Sequence, residues 1–182
     1  NKGFASYAQS FKVSHTTSFL IQKFDYLENG QEEDFSVSIA GRVLAKRVMG
    51  KIAFFTISDQ EGQIQLYLDK RIINFNLEKQ KLLSFEDLKE IVDIGDWIGV
   101  YGTIKKTNKG ELSIKVEKWE MLSKSLQPLP DKWHGLTDIE KRYRQRYLDL
   151  IVNPHSKNVF KTRAKCISFI RKWLDNRNFL EI

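Results

Sequence analysis

Residues 35–68 read FSVSIAGRVLAKRVMGKIAFFTISDQEGQIQLYL, and the fold turns on this stretch. Apolar residues take alternate positions at both of its ends. Phe35, Val37 and Ile39 alternate with Ser36 and Ser38, and Ile64, Leu66 and Leu68 alternate with Gln63, Gln65 and Tyr67. A period of two is the mark of a strand with one face buried. Met49-Gly50-Lys51 breaks the run between a strand over Phe35–Arg47 and a second over Ile52–Asp59, and a third strand follows over Gly62–Leu68. Gly41 interrupts the first strand, and a glycine there marks a bulge or sharp bend.

Downstream, Leu82, Leu83, Phe85, Leu88 and Ile91 recur at helical spacing within 78–91. Trp97–Lys105 and Glu111–Leu122 read as two more strands, joined by the loop Lys106-Thr107-Asn108-Lys109-Gly110. Three strands, a helix and two strands over residues 35–122 is the order of the OB-fold, a five-stranded Greek-key barrel. Its usual ligand site is the face of strands 2 and 3 with the loops joining strands 1–2 and 4–5. Upstream, residues 1–34 are expected to form a helical extension packed on the barrel. A helix over Thr16–Leu27 would turn Phe19, Leu20, Phe24 and Leu27 inward.

Beyond the barrel, Gln127-Pro128-Leu129-Pro130-Asp131 reads as an extended connector, since each proline disfavours helix at the residue before it. The linker is placed at 123–140, and residues 141–182 read as helical. Phe160, Ala164, Ile167, Ile170 and Leu174 form a stripe over 158–174 that core packing would explain, with basic residues largely off it. Cys166 lies near that stripe and is expected to be a buried, inert thiol. Asp175-Asn176-Arg177-Asn178 reads as a helix stop, and Phe179–Ile182 as the start of another apolar element, so the chain reads as a piece of a longer protein.

The 182 residues carry a formal net charge of +7, with 41% apolar residues, enough to bury a core. No run of 18 or more apolar residues suggests a membrane span. One cysteine excludes a disulfide framework and a multi-cysteine zinc site, which suits a reducing, intracellular setting. Residues 1–122 hold 17 basic and 17 acidic residues, and residues 123–182 hold 13 and 6, so the second part supplies the whole excess. His15, His134 and His155 lack metal-ligand spacing and no glycine-rich phosphate loop is present, so no catalytic constellation is read here.

Arg42, Lys46, Arg47 and Lys51 fall in one window without an acid, Phe54 follows, and Lys105, Lys106 and Lys109 lie on the opposite loop. Cations for phosphates beside an aromatic face for a base are what a single-stranded nucleic acid requires. An amide such as Gln65 both donates and accepts, so it can read a base edge. The plainer alternatives are structural. Gln65 is also an ordinary solvent-facing strand residue, the loop lysines are also solubilising charges, and Arg42 can pair with a nearby carboxylate. Adjacent in a strand, Phe54 and Phe55 point to opposite faces, so one belongs to the core.

The stretch Leu129-Pro130-Asp131-Lys132-Trp133-His134-Gly135-Leu136, with Glu140-Lys141-Arg142-Tyr143-Arg144-Gln145-Arg146-Tyr147-Leu148-Asp149-Leu150-Ile151, resembles the class II lysyl-tRNA synthetases. So do Ala40-Gly41-Arg42 with Ala45-Lys46-Arg47, and Lys109-Gly110-Glu111-Leu112-Ser113-Ile114. The tail from Ile170-Arg171 to Phe179-Leu180-Glu181-Ile182 is similar to the opening of motif 1. The resemblance implies an OB-fold that binds the uridine-rich anticodon of lysine tRNA, followed by a linker and the first helices of an incomplete class II catalytic domain. Phe54 would stack on an anticodon base, Gln65 and Arg42 would hydrogen-bond to it, and Glu111 would contact a neighbouring base. Lys46, Arg47, Lys51, Lys105, Lys106 and Lys109 would be phosphate contacts. The full-length enzyme would be a cytoplasmic homodimer that uses ATP and Mg2+ to join L-lysine to lysine tRNA. The catalytic residues would lie in motifs 2 and 3, leaving this piece with no catalytic residue, cofactor or metal of its own. The alternatives are a stand-alone OB-type RNA-binding or interaction module, or an aspartyl/asparaginyl-type relative.

Overall fold

The computed structural model describes residues 10–80, 83–130 and 136–182, with only the backbone for 76–80. Residues 1–9 of the expected extension, Leu82 of the expected helix and residues 131–135 of the connector lie outside them. The chain divides into two compact units, Asn1–Pro128 and Leu129–Ile182.

The first unit is a closed five-stranded barrel in the order β1-β2-β3-β5-β4. β1 is Glu32–Met49, β2 Ile52–Ser58, β3 Gln63–Asp69, β4 Trp97–Lys106 and β5 Leu112–Ser123. β1 is long because it serves two neighbours. Its first part pairs antiparallel with β4 up to Arg42↔Trp97, and its second part pairs with β2 from Arg42↔Ser58 onward. Gly41 sits at this change of partner, where a Cβ would lie 2.9 Å from the Ser58 carbonyl oxygen, so only glycine lets the strands cross so closely. The bulge itself comes just after, between Val43 and Ala45. It moves the outward side chains from even to odd positions, so Ala45, Arg47 and Met49 face one way and Lys46 and Val48 the other. β3 then pairs parallel with β5, from Gln65↔Ser113 to Leu68↔Val116, and closes the barrel.

The strand interiors supply the core: Val37, Ile39, Val43, Ala53, Phe55, Ile57, Ile64, Leu66, Leu68, Ile98, Val100, Ile104, Ile114 and Val116 are all buried. The helical spacing expected over 78–91 resolves into two helices, α2 (Lys70–Gln80) and α3 (Phe85–Ile91). The break has a local cause. Ser84 caps α3, its hydroxyl accepting from the Asp87 N–H at 2.9 Å while the Asp87 carboxylate accepts from the Ser84 N–H at 3.1 Å. Ile73, Phe85, Leu88 and Val92 of this segment join the buried core of the barrel.

In the N-terminal extension the helix is short, α1 (Thr17–Lys23). Leu20, Phe24 and Leu27 enter the core as expected from their spacing, but Phe19 is 43% exposed and stacks on His15 instead. Asp59 anchors α1, its carboxylate accepting from the Thr17 N–H and hydroxyl, each at 2.7 Å, and from the N–H groups of Glu61 and Gly62. Burial raises this carboxyl, yet these donors together hold it below the usual aspartate value.

The second unit holds α4 (Ile139–Arg144), α5 (Arg146–Val152) and α6 (Pro154–Asp175). Asp149 organises it. Fully buried, its carboxylate accepts from Arg142 Nε at 2.8 Å, Arg146 Nη1 at 2.5 Å, Asn153 Nδ2 at 2.7 Å and Ser156 Oγ at 3.1 Å. Arg142, Arg144 and Arg146 therefore all find acids within the chain, Arg144 pairing with Glu140 at 2.8 Å. The stripe on α6 departs from expectation. Phe160, Ile167, Ile170 and Leu174 are 36–55% exposed, and Cys166 is an exposed free thiol; the buried residue of α6 is Ser156, near its start. α6 ends with Asn176 as its C-cap and Asn178 at φ 63°, and Phe179–Ile182 forms no strand.

Two expectations follow. Phe55→Ala should lower stability by about 3–5 kcal/mol, as removal of a buried ring does, whereas Phe54→Ala should cost far less, checked by urea unfolding of the two variants. Burial raises the Asp149 carboxyl, but its donors hold it at about 2 against an ordinary 3.8. A depressed carboxyl stabilises above its unfolded value and stops doing so as pH falls through its folded one. The stability gap between the wild-type chain and Asp149→Asn should therefore be full near neutral pH and close between about pH 4 and 2 in acid titrations followed by circular dichroism.

Candidate nucleic-acid interface

One cleft of about 520 Å3 lies on the outer face of β1, β2 and β3, roofed by the loop between β4 and β5. Its size is within the range of pockets for one small ligand. Strand register builds its floor. The row Arg47↔Phe54↔Tyr67 lies beside the row Ala45↔Thr56↔Gln65↔Ser113, and alternation turns all but Ser113 of these side chains to the cleft. Met49, Lys105, Thr107, Asn108, Lys109 and Glu111 complete the lining.

Phe54 is half-buried while Phe55 is fully buried in the core, which settles the alternation between the two rings. Tyr67 meets Phe54 edge-on, with centroids 5.6 Å apart and planes at 66°. The Phe54 face is thereby held at a fixed angle by a partner that is itself fixed: Lys105 Nζ lies 4.7 Å from the Tyr67 centroid. Lys105 is placed by Glu32, whose two oxygens accept from Lys105 at 2.7 Å and Lys115 at 2.6 Å. Those two hydrogen bonds hold the Glu32 carboxyl below its usual value. Gln65 Oε1 accepts from the Ser113 hydroxyl at 2.9 Å. Glu111 is exposed at the rim, its backbone locked by Thr107: the Thr107 N–H donates to the Glu111 carbonyl at 2.9 Å and the Glu111 N–H to Thr107 Oγ1 at 3.1 Å.

The loop above is braced from below. Gly30 N–H donates to the Lys106 carbonyl, and Lys106 N–H to the Gln31 carbonyl. A Cβ on Gly30, at φ +86°, would lie 2.9 Å from Asn108 Oδ1, so a side chain there would push Asn108 away.

The structure therefore brings Phe54, Gln65, Glu111, Arg47, Lys105 and Lys109 into one cleft, and leaves four expected residues outside it. Arg42 is the first of these. Its Nη1 donates to the Gly95 carbonyl at 2.7 Å and its guanidinium lies over Trp97 at 5.5 Å. Burial lowers its pKa, and Asp96 partly offsets this. The arginine on the cleft is Arg47, brought there by the bulge at Val43–Ala45. Lys46 faces the other way, its Nζ donating to the carbonyls of Lys89 and Val92 at 2.7 and 2.6 Å. Lys106 Nζ donates to the Leu27 carbonyl at 2.8 Å and so braces the loop. Lys51 lies in the β1–β2 turn, off the cleft lining. Tyr67, Thr56 and Asn108 are lining residues that sequence reasoning gave no role. For Tyr67 the signal was present, since it shares the alternating face of Gln65.

Comparison with known proteins agrees with this architecture. Residues 37–122 match the family of OB-fold nucleic acid binding domains, and residues 138–182 match the class II tRNA synthetases of the D, K and N type. The whole chain is 95% identical to part of a lysine–tRNA ligase of Prochlorococcus marinus strain MIT 9301, and 82% identical to that of strain MIT 9515. It is 56% identical over 180 residues to the lysine–tRNA ligase of Synechococcus sp. strain RCC307, covering 99% of the chain. The chain spans about a third of the length of these curated relatives, 36% of the first two and 34% of the third. An OB barrel with its cleft on strands 1–3, a following segment of class II sequence and this level of identity have one reading: the chain belongs to the class II lysyl-tRNA synthetase family.

Proposed function

We propose that this chain is the anticodon-recognising part of a lysine–tRNA ligase, and that the cleft on β1–β3 receives the uridine-rich anticodon of lysine tRNA. The observation that carries the reading is the grouping of the Phe54 ring, the Gln65 amide, the Glu111 carboxylate and three cations in a single cleft. Phe54 stacks a base; a π-face accepts any base, so this term gives affinity without sequence. Arg47, Lys105 and Lys109 neutralise the flanking phosphates. Gln65 hydrogen-bonds to a base edge, which gives sequence. Glu111 repels phosphate and gains only where a base N–H donates to it, so its contribution is discrimination.

The whole protein, on this reading, is a cytoplasmic homodimer that activates L-lysine with ATP and Mg2+ and passes it to the tRNA. Among the described residues no group of three or more His, Cys, Asp or Glu side chains converges as a metal site. No described helix is long and apolar enough to cross a membrane.

Phe54→Ala should weaken binding of lysine tRNA by about 1–3 kcal/mol in filter-binding titrations. Arg47→Ala should weaken binding and lower the slope of log affinity against log salt by about 1, while Arg42→Ala should leave that slope alone and lower thermal stability instead. Glu111→Ala should narrow the affinity ratio between cognate and near-cognate anticodons; an unchanged ratio removes Glu111 from recognition.

A further inference from the structure

The side chain expected to read a base edge is engaged at one of its two ends. Gln65 has an oxygen that accepts and an NH2 that donates, and which one faces the ligand decides which base it favours. Ser113 is its direct neighbour in the parallel β3–β5 register and is fully buried. The Ser113 hydroxyl has two acceptors in reach, Gln65 Oε1 at 2.9 Å and the Glu111 carbonyl at 3.2 Å. The hydroxyl has one proton, and Gln65 Oε1 is the nearer of the two acceptors. With Oε1 turned inward to Ser113, the Gln65 NH2 is the end left to the cleft.

We propose that Ser113 is a positioning residue for base selection: it holds the Gln65 amide so that the cleft offers a donor, which selects a base carrying a carbonyl oxygen where cytosine carries an amine. Uracil presents O4 at that position and cytosine its N4 amine, so the oriented amide accepts uridine and opposes cytidine. The same hydroxyl touches the Glu111 carbonyl, so it links the amide to the segment carrying the carboxylate on the rim. Ser113 itself is not on the cleft, and Gln65, which it holds, is.

The inference rests on the anticodon reading, and the test separates the two. Anticodon stem-loops of lysine tRNA are made with uridine or cytidine at each anticodon position in turn, and their affinities for the chain are measured. The wild-type chain should favour uridine at one position by roughly 5- to 150-fold. Ser113→Ala should bring that one ratio down by roughly 5- to 10-fold, as loss of one hydrogen bond does, while the ratios at the other positions stay put. Ser113→Thr, which keeps the hydroxyl, should retain it. Gln65→Glu, which has no NH2 to donate, should lose the uridine preference without disturbing the barrel core, and needs no change at buried Ser113. A wild-type chain that binds none of the stem-loops overturns the anticodon reading and this inference with it. A wild-type chain that prefers uridine, with the same ratio in Ser113→Ala or Gln65→Glu, overturns the inference and leaves the anticodon reading standing. A wild-type chain that binds the stem-loops but favours uridine at no position shows that the amide does not select uridine and also overturns it.

Discussion

The parallel pairing of β3 with β5 is the constraint on which the rest of the barrel depends. Every other strand pair in the barrel is antiparallel. This pair joins Gln65–Leu68 to Ser113–Val116 across most of the domain, and α2, α3 and β4 lie between them in the chain. Without it the sheet has two open edges and the cleft has no roof, because the β4–β5 loop reaches Phe54 and Tyr67 only when β5 lies against β3. Closing such a long loop costs entropy before any contact forms. The buried layer of Leu66, Leu68, Ile114 and Val116 offsets that cost.

The barrel separates its two tasks by face. Inward positions of the strands are apolar and filled. Outward positions after the bulge in β1 carry the cleft, and polar positions elsewhere on the strands carry side chains that tie loops down. Lys46, Lys106 and Arg42 all spend their cationic heads on backbone carbonyls. A carbonyl left buried without a donor costs about 1–3 kcal/mol, so these residues serve the scaffold whatever their charge suggests. The cations that remain on the cleft are few. This fits the even charge of residues 1–122: the barrel needs local polarity at one cleft, and a general positive field would add only unspecific binding.

The second unit follows a different logic. It gathers two arginines, an asparagine and a serine around one buried carboxylate, Asp149. A buried charge is tolerated when its lone pairs are all used, and here four donors use them. The run Arg142–Asp149, which carried the family resemblance, is thus held together by its own side chains. The apolar stripe of α6 lies outside this cluster, so helical spacing alone did not report its burial.

Much of this was open to reading along the chain. Alternation at Ile64, Leu66 and Leu68 set strand and face together, and it placed Gln65 and Tyr67 outward, since a strand turns successive side chains to opposite sides. The same rule divided Phe54 from Phe55 once one face was known to be core. The resemblance marked Glu111 and Gln65, which lie far apart in the chain. What alternation cannot carry past is a bulge. One extra residue between Val43 and Ala45 exchanges the faces of β1, and that exchange took the cleft from Arg42 and gave it to Arg47. Proximity by charge in a ten-residue window hid this, because Lys46 and Arg47 are neighbours that point apart. Local periodicity thus determined the strands, their buried faces and the kind of fold. Which cations face the cleft, what holds the Gln65 amide and whether the α6 stripe is covered were decided only by tertiary structure, because each depends on a partner that lies elsewhere in the chain and is brought near, or not, by strand register and helix packing.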